Sequence, residues 1–123
     1  MLRCIADEKF NDTGFCYTLS LIKGKYKLHV LYALMEFEVV RYGELKRYID
    51  SISHKMLSQT LRELESDELI HRKEYDQLPP RVEYSLTPRG RSLIPLLDQM
   101  CEWGDNHRTD NSIEHGKHFR SFF

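Results

Sequence analysis

Cysteine is scarce in this chain, and long apolar runs are missing altogether. Three cysteines in 123 residues, odd in number and widely spaced, exclude a disulfide framework as the source of stability. No apolar stretch approaches the roughly 20 residues that a bilayer-spanning helix needs. The opening MLRCIADEKF has acidic residues where a signal peptide needs an apolar core, so export is not expected and a cytoplasmic location is. An excess of one charge is lacking too. The net charge is −1, which argues against a coat that grips nucleic acid through bulk basicity. The chain also has no Gly-rich phosphate loop, no GxSxG, no HExxH and no pair of carboxylates in a recognisable acid–base setting, so neither an enzyme nor a bound cofactor is expected.

What is present is a soluble composition, 41% hydrophobic and 30% charged, in a length that suits one domain with one modest core. The charges are not evenly spread. Residues 17–62 hold eight Lys or Arg against four Asp or Glu, whereas residues 63–123 hold eight basic against twelve acidic. The basic half contains the stretch SHKMLSQTLRELESDELI, residues 53–70. There Leu57, Leu61 and Leu64 recur at the spacing of one helical stripe. The opposite side carries Lys55, Ser58, Gln59 and Arg62, short polar, amide and guanidinium groups that a merely solvated face does not require.

The neighbouring segments give that helix a setting. GKYKLHVLYALMEFE has apolar residues at 28, 31, 33, 34 and 37, too dense for a thin stripe, and reads as a buried helix. RYGELKRYID followed by Ile52 repeats the helical spacing through Leu45 and Ile49. Ser53 is a good N-cap for the next helix, with Ile52 and Leu57 as a hydrophobic staple. Only Ser51 and Ile52 then remain for a turn, so the two helices form a helix-turn-helix. LIHRKEY and RVEYSLT follow as two strands around DQLPP, whose prolines suit a hairpin tip. The predicted fold class is α+β, mainly helical: a winged helix-turn-helix. A short helix is expected to begin near Cys16, after an N-terminal arm over residues 1–15.

Thr87 and Pro88 supply an N-cap and first-turn pair for a long C-terminal helix reaching about Asn106. Pro95 should kink it near Arg91. Apolar residues at 93, 94, 96, 97, 100, 101 and 103 cover about half its circumference. A wide core stripe would account for that, and so would one edge on the domain and another on a second subunit. The second reading is the expectation, with Leu96, Met100 and Trp103 at a homodimer interface, because monomers avoid such patches. Residues 16–106 then form one winged helix-turn-helix and dimerisation domain, and 107–123 a polar tail.

From Cys16 to Gly104 the chain resembles the HxlR-type transcriptional regulators, winged-helix relatives of the MarR group. The resemblance runs through LIKGKYKLHVLYAL, RYGELKRYI, ISHKMLSQTLRELESDELIHRKEY and, most specifically, PPRVEYSLTPRGRSLIPLLDQMCEWG. It implies a dimeric DNA-binding repressor or activator, often responsive to reactive chemicals. The chain departs from the family pattern where Tyr17 follows Cys16 in place of proline, and where Lys23-Gly24-Lys25-Tyr26 replaces Gly-Gly-Lys-Trp. It departs again where Asp67-Glu68 replaces Asp-Gly, and a left-handed Glu68 would cost about 1 kcal/mol.

On this pattern the helix 53–66 enters the major groove of a double-stranded operator. Ser53, His54, Lys55, Ser58 and Gln59 stand nearest the bases, Arg62 holds a phosphate, and Arg81 reaches the groove or backbone from the wing at 75–82. Lys25, Lys46 and Arg47 could add phosphate contacts. Cys16, at a helix start with Lys23 and Lys25 near in sequence, is a candidate redox or electrophile sensor, with Cys101 as its partner across a dimer. Two other readings stay open: a winged-helix interaction module that has stopped binding DNA, and a metal-responsive regulator using Cys101, His107, His115 and His118. Ligands in a polar tail are weak grounds for a metal, and none is expected, nor is a membrane partner.

Overall fold

The computed structural model describes residues 12–109. The expected arm up to residue 11 and the tail from 110, with Cys4, His115 and His118, lie outside the described residues. The first helix, α1, spans Gly14–Ile22, two residues earlier than the sequence suggests. The reason is Thr13, whose side chain accepts from the Cys16 N–H at 3.1 Å and so caps the helix. Cys16 therefore sits in the first turn, not before it. A second helix, α2 (Lys27–Phe37), buries Val30, Leu31, Ala33 and Leu34, while Leu28 and Phe37 at its flanks are half-buried.

Two residues, Val40–Arg41, form a strand, β1, that the sequence reading does not contain. A strand this short has no period to detect. Helix α3 (Tyr42–Tyr48) follows directly, and Glu44 reaches back to accept from the Arg41 N–H at 2.8 Å. The turn after α3 is longer than Ser51–Ile52. Ile49 already has extended backbone angles, and Ser51 turns the chain with a φ of 71°. Helix α4 (His54–Ser66) starts on the Ser53 cap as expected, its hydroxyl accepting from the Met56 N–H at 3.0 Å. Ile52 and Leu57, the staple pair, are both buried.

Strands β2 (Ile70–Tyr75) and β3 (Arg81–Leu86) pair antiparallel around the proline tip, and β1 adds to the far edge of β3, giving the order β1-β3-β2. The register sets Ile70 opposite Leu86, Arg72 opposite Tyr84 and Glu74 opposite Val82. One face of the hairpin therefore carries those six residues. The core joins Ile70, Tyr84 and Leu86 of the sheet to the leucines of α2 and α4 and to Leu45, Ile49 and Ile52. The order of elements and the sheet make a winged helix-turn-helix.

The expected single C-terminal helix is two. Helix α5 (Pro88–Arg91), capped by the Thr87 hydroxyl, ends in a tight turn at Ser92–Leu93, and α6 (Ile94–His107) begins there. Pro95 lacks the N–H that would bond the Arg91 carbonyl, so the strain placed near Arg91 becomes a break and not a bend. Gly90 of α5 lies so close to the hairpin that a Cβ added to it would stand 2.0 Å from the Leu69 carbonyl oxygen. Only glycine lets α5 seat there. Among the described residues no helix is long and apolar enough to cross a membrane.

Helix α4 ends in a Schellman motif. The Leu69 N–H bonds the Leu64 carbonyl at 3.0 Å, the Glu68 N–H bonds the Glu65 carbonyl at 2.9 Å, and Glu68 is left-handed with a φ of 61°. This is the strained glutamate that the Asp67-Glu68 departure leads one to expect. Glu68→Gly should raise stability by about 1 kcal/mol, read as a higher urea midpoint with an unchanged slope. An unchanged or lower midpoint would show that Glu68 is held there by interactions worth more than the strain.

Candidate nucleic-acid interface

Helix α4 separates cleanly into two faces. Leu57, Thr60, Leu61 and Leu64 are buried, each leucine adding about 1.5–3 kcal/mol of burial, while His54, Lys55, Gln59 and Arg62 are exposed and Ser58 is half-buried. The predicted polar face is therefore presented as one surface. Ser53 lies at its edge, but its hydroxyl is committed to capping the helix. Met56, 39% exposed, stands among these residues and was not among those predicted, since a methionine next to a leucine stripe reads as core.

The face is held in place by groups outside α4. Tyr42, the first residue of α3, brings its hydroxyl to 3.1 Å from His54 Nδ1, 3.2 Å from the His54 carbonyl and 3.2 Å from Ser58 Oγ. Its ring lies parallel to the His54 ring, with 4° between planes and 5.9 Å between centroids. Sequence reasoning missed Tyr42, whose partners are 12 and 16 residues away. Further along, the Gln59 amide donates to Glu63 at 3.1 Å, and Lys27 of α2 pairs with the other oxygen of the same carboxylate at 3.2 Å. Gln59 is thus oriented through Glu63 by a cation on another helix.

In the wing, Arg81 does not stand out from the tip as expected. Its guanidinium lies 4.3 Å from the centre of the Tyr75 ring and its Nε is 3.4 Å from Glu83, which also accepts from the Tyr75 hydroxyl at 2.8 Å. The register causes this, because Tyr75 is directly opposite Arg81 and both share a sheet face with Glu83, Lys73 and Arg41. A cleft of ≈ 480 Å³ separates the wing from α4, with Tyr42, Ser58 and Arg62 on one side and Arg72 and Tyr84 on the other. Of the other basic candidates, Lys25 leans over its neighbour's Tyr26 ring at 5.3 Å, Lys46 is half-buried and Arg47 is exposed.

The remaining candidates lie away from this face. Cys16 and Cys101 are both half-buried. Cys101 on α6 hydrogen-bonds Tyr32 of α2, whose phenol is pushed up first by burial and then by that bond. Tyr17, beside Cys16, accepts from Arg89 Nη2 at 2.8 Å, and Arg89 Nε donates to the Asp67 carbonyl at the end of α4 at 3.1 Å. Leu96, Met100 and Trp103 form an outward edge of α6, 41%, 49% and 65% exposed, while Leu97 faces the core. Among the described residues no group of three or more His, Cys, Asp or Glu could hold a metal ion.

A family model described as HxlR-like helix-turn-helix matches residues 21–112. The HTH-type transcriptional regulator BH0655 of Halalkalibacterium halodurans is 53% identical over 97 residues, covering 79% of this chain and 86% of that protein. YdzF of Bacillus subtilis, also an HTH-type transcriptional regulator, is 59% identical over 90 residues, 73% of this chain and 83% of its own. Among solved structures, the redox regulator HypR in its oxidized form superimposes with a TM-score of 0.71 at 45% identity, covering 76% of this chain and 96% of that one. The reduced transcriptional regulator YodB from B. subtilis gives 0.65 at 28% identity, covering 84% and 95%.

The Glu63 bridge has a pH signature. Its carboxyl is held below the usual range, mainly by the Gln59 amide and next by Lys27. A pKa depressed in the folded state gives stability that is present above the ordinary value of 4.5 and is lost as pH falls through the folded value. Glu63→Gln should therefore cost about 0.5 kcal/mol at neutral pH, since the carboxylate is exposed although Lys27 is largely covered, and the gap to wild type should close on the acid side of that window. Urea midpoints followed across pH test this, and a gap that stays constant through the acid limb would remove the bridge from the account.

Proposed function

Because the chain belongs to the HxlR-like helix-turn-helix family of transcriptional regulators, we propose that it works as a homodimer reading an inverted-repeat operator through α4 and the wing, with Cys16 as its redox or electrophile input. The observation that carries the DNA reading is the polar face of α4, exposed as a unit beside the cleft that holds Arg62 and Arg72 and oriented by Tyr42 and Glu63. His54, Lys55, Ser58 and Gln59 read base edges, Arg62 holds a phosphate, and Ser53 sets the helix start. Arg81 acts from within its Tyr75–Glu83 cluster, which braces the wing against the backbone. The relatives named above are regulators, which favours this reading over a catalytic one. Such a protein works in the cytoplasm, where the operator is.

The homodimer is supported by two surfaces that one subunit leaves open. Leu96, Met100 and Trp103 form an apolar edge on α6. Helix α1 buries no residue at all, although Phe15 and Leu19 make an exposed apolar pair on it. Leu21 and Ile22 at its end pack against the core, while the exposed pair nearer its start is left for a second subunit to cover. The sensor reading is supported by the resemblance to HypR, a redox regulator, and by the place of Cys16 in the first turn of α1. Through Tyr17 and Arg89, the helix that bears Cys16 is joined to the end of α4. Oxidation that moves α1, with Cys101 of the other subunit as the partner, would then tilt one reading unit against the other.

The first test is to recover the genomic fragments that the purified protein retains and to align them. Half-sites should be spaced about one helical turn, ~10 bp, or a multiple of it. Gln59→Ala should relax preference at one base pair, a loss of about 1–3 kcal/mol of discrimination. Arg62→Ala should weaken binding to all sequences and reduce the slope of affinity against salt by about one ion. Retention of unrelated fragments with no common site would defeat the reading.

Assembly and sensing are tested on the same protein. Met100→Asp, which alters only an exposed side chain, should turn a dimer into a monomer in sedimentation and cost operator binding. Diamide should release wild type from the operator and leave Cys16→Ser bound. Equal responses in the two proteins would remove Cys16 from the mechanism.

A further inference from the structure

The hydroxyl of Tyr42 has one proton to donate and two lone pairs, and three partners stand within 3.2 Å of it. The His54 carbonyl is an acceptor only, so whenever it is bonded to Tyr42 the phenol proton must point at it. The phenol oxygen is then an acceptor, and both Ser58 Oγ–H and His54 Nδ1 must supply protons to it. All three contacts are made at once only when His54 carries its proton on Nδ1. The other neutral tautomer, with the phenol proton given to a bare Nδ1, leaves the carbonyl contact unmade. Counting bonds therefore favours Nδ1–H, and it is that nitrogen which stands 3.1 Å from the phenol. Nε2, across the ring, is left as a bare acceptor on an exposed residue of the groove-facing side.

We propose that Tyr42 is a positioning residue that fixes His54 as the Nδ1–H tautomer, so that Nε2 accepts from the exocyclic amino group of an adenine or a cytosine in the operator. In the major groove the amino donors are adenine N6 and cytosine N4, whereas guanine offers only acceptors at N7 and O6. A bare imidazole nitrogen facing guanine would set acceptor against acceptor. The second ring nitrogen of a histidine is commonly set in this way by the hydrogen bond that the first one makes. The inference rests on the DNA reading above and assigns the chemistry of one of its contacts.

The experiment has one arm that does not need DNA. Side-chain nitrogen NMR at about pH 8, above the ordinary histidine range, reports which ring nitrogen carries the proton. Wild type should show Nδ1–H for His54. Tyr42→Phe, which keeps the ring and removes the hydroxyl, should return it to the Nε2–H form, while Ser58→Ala should leave it unchanged because the carbonyl and Nδ1 bonds remain. In the second arm, operator variants at the base pair under His54 are compared. Wild type should prefer the amino-bearing base over guanine by about tenfold, as the loss of one good contact implies, and Tyr42→Phe should lose or invert that preference. A wild-type His54 in the Nε2–H form, or a tautomer and base preference that survive Tyr42→Phe, would overturn the proposal. Wild type with the Nδ1–H form but no sequence preference anywhere would overturn the DNA reading, and this contact with it.

Discussion

A helix can present a polar face as a rigid surface only if its other face is dry, and the dry stripe of α4 is the constraint on which the rest of this molecule turns. Leu57, Leu61 and Leu64 are all but inaccessible to water, covered by Val30, Leu31 and Leu34 of α2, the apolar residues of α3 and its turn, and the sheet. Burying them fixes the rotation of α4 about its axis, since a turn of even one residue, about 100°, would carry leucines into water and Gln59 or Arg62 into the core. The polar face is therefore aimed by hydrophobic packing before any of its own contacts are made. The short strand β1 serves the same end by pinning the start of α3, and Tyr42 with it, to β3.

The contacts on that face divide by mobility. His54 and Ser58 are tethered to Tyr42, Gln59 is tethered to Glu63 and through it to Lys27, and Arg81 is folded into an aromatic and carboxylate cluster. For a reader of base edges, holding a side chain in place beforehand lowers the entropy lost on binding and penalises the wrong base. Arg62 is a long, exposed cation better suited to a backbone phosphate, where a charge works in many geometries. On the proposed reading, the tethered groups of α4 then supply discrimination, and Arg62 with the wing's Arg81 supplies affinity. The near-zero net charge fits that division, because attraction comes from a few placed cations and not from the whole surface.

Most short-range rules were readable in the sequence, the Thr13 cap of α1 being an exception. The leucine spacing, the Ser53 and Thr87 caps, the staple and the proline-tipped hairpin each depend on residues within a few positions of one another, and each appears where the spacing puts it. Glu68 belongs with them, since a left-handed site without its glycine is visible as a departure from a familiar pattern. What escaped detection is made by distance in sequence. The pairing of β1 joins residues about forty positions apart, Tyr42 meets residues on another helix, and Arg89 meets Tyr17 across 72 positions. The break at Ser92–Leu93 was half legible: Pro95 marks the place, but the seating of Gly90 against Leu69 decides that the chain turns there.

The same ties limit how a signal could alter the reading face. At its start α4 is held by the Ser53 cap and Tyr42, and at its end by the Schellman turn, by the Thr87 hydroxyl on the Glu68 carbonyl and by Arg89 on the Asp67 carbonyl. Between them runs the dry stripe. An element fastened at both ends and along its length does not bend in response to a weak pull; it moves with everything it is fastened to. Arg89 is exposed and its bonds are solvated, so the link from Tyr17 is better suited to steering the whole unit than to distorting the helix. Helix α1 meets the core through the half-buried Leu21 and Ile22 at its end. On the proposed reading, a modification at Cys16 would act on the angle between the two intact reading units of a dimer, and an inverted repeat is sensitive to that angle because both half-sites must be met at once.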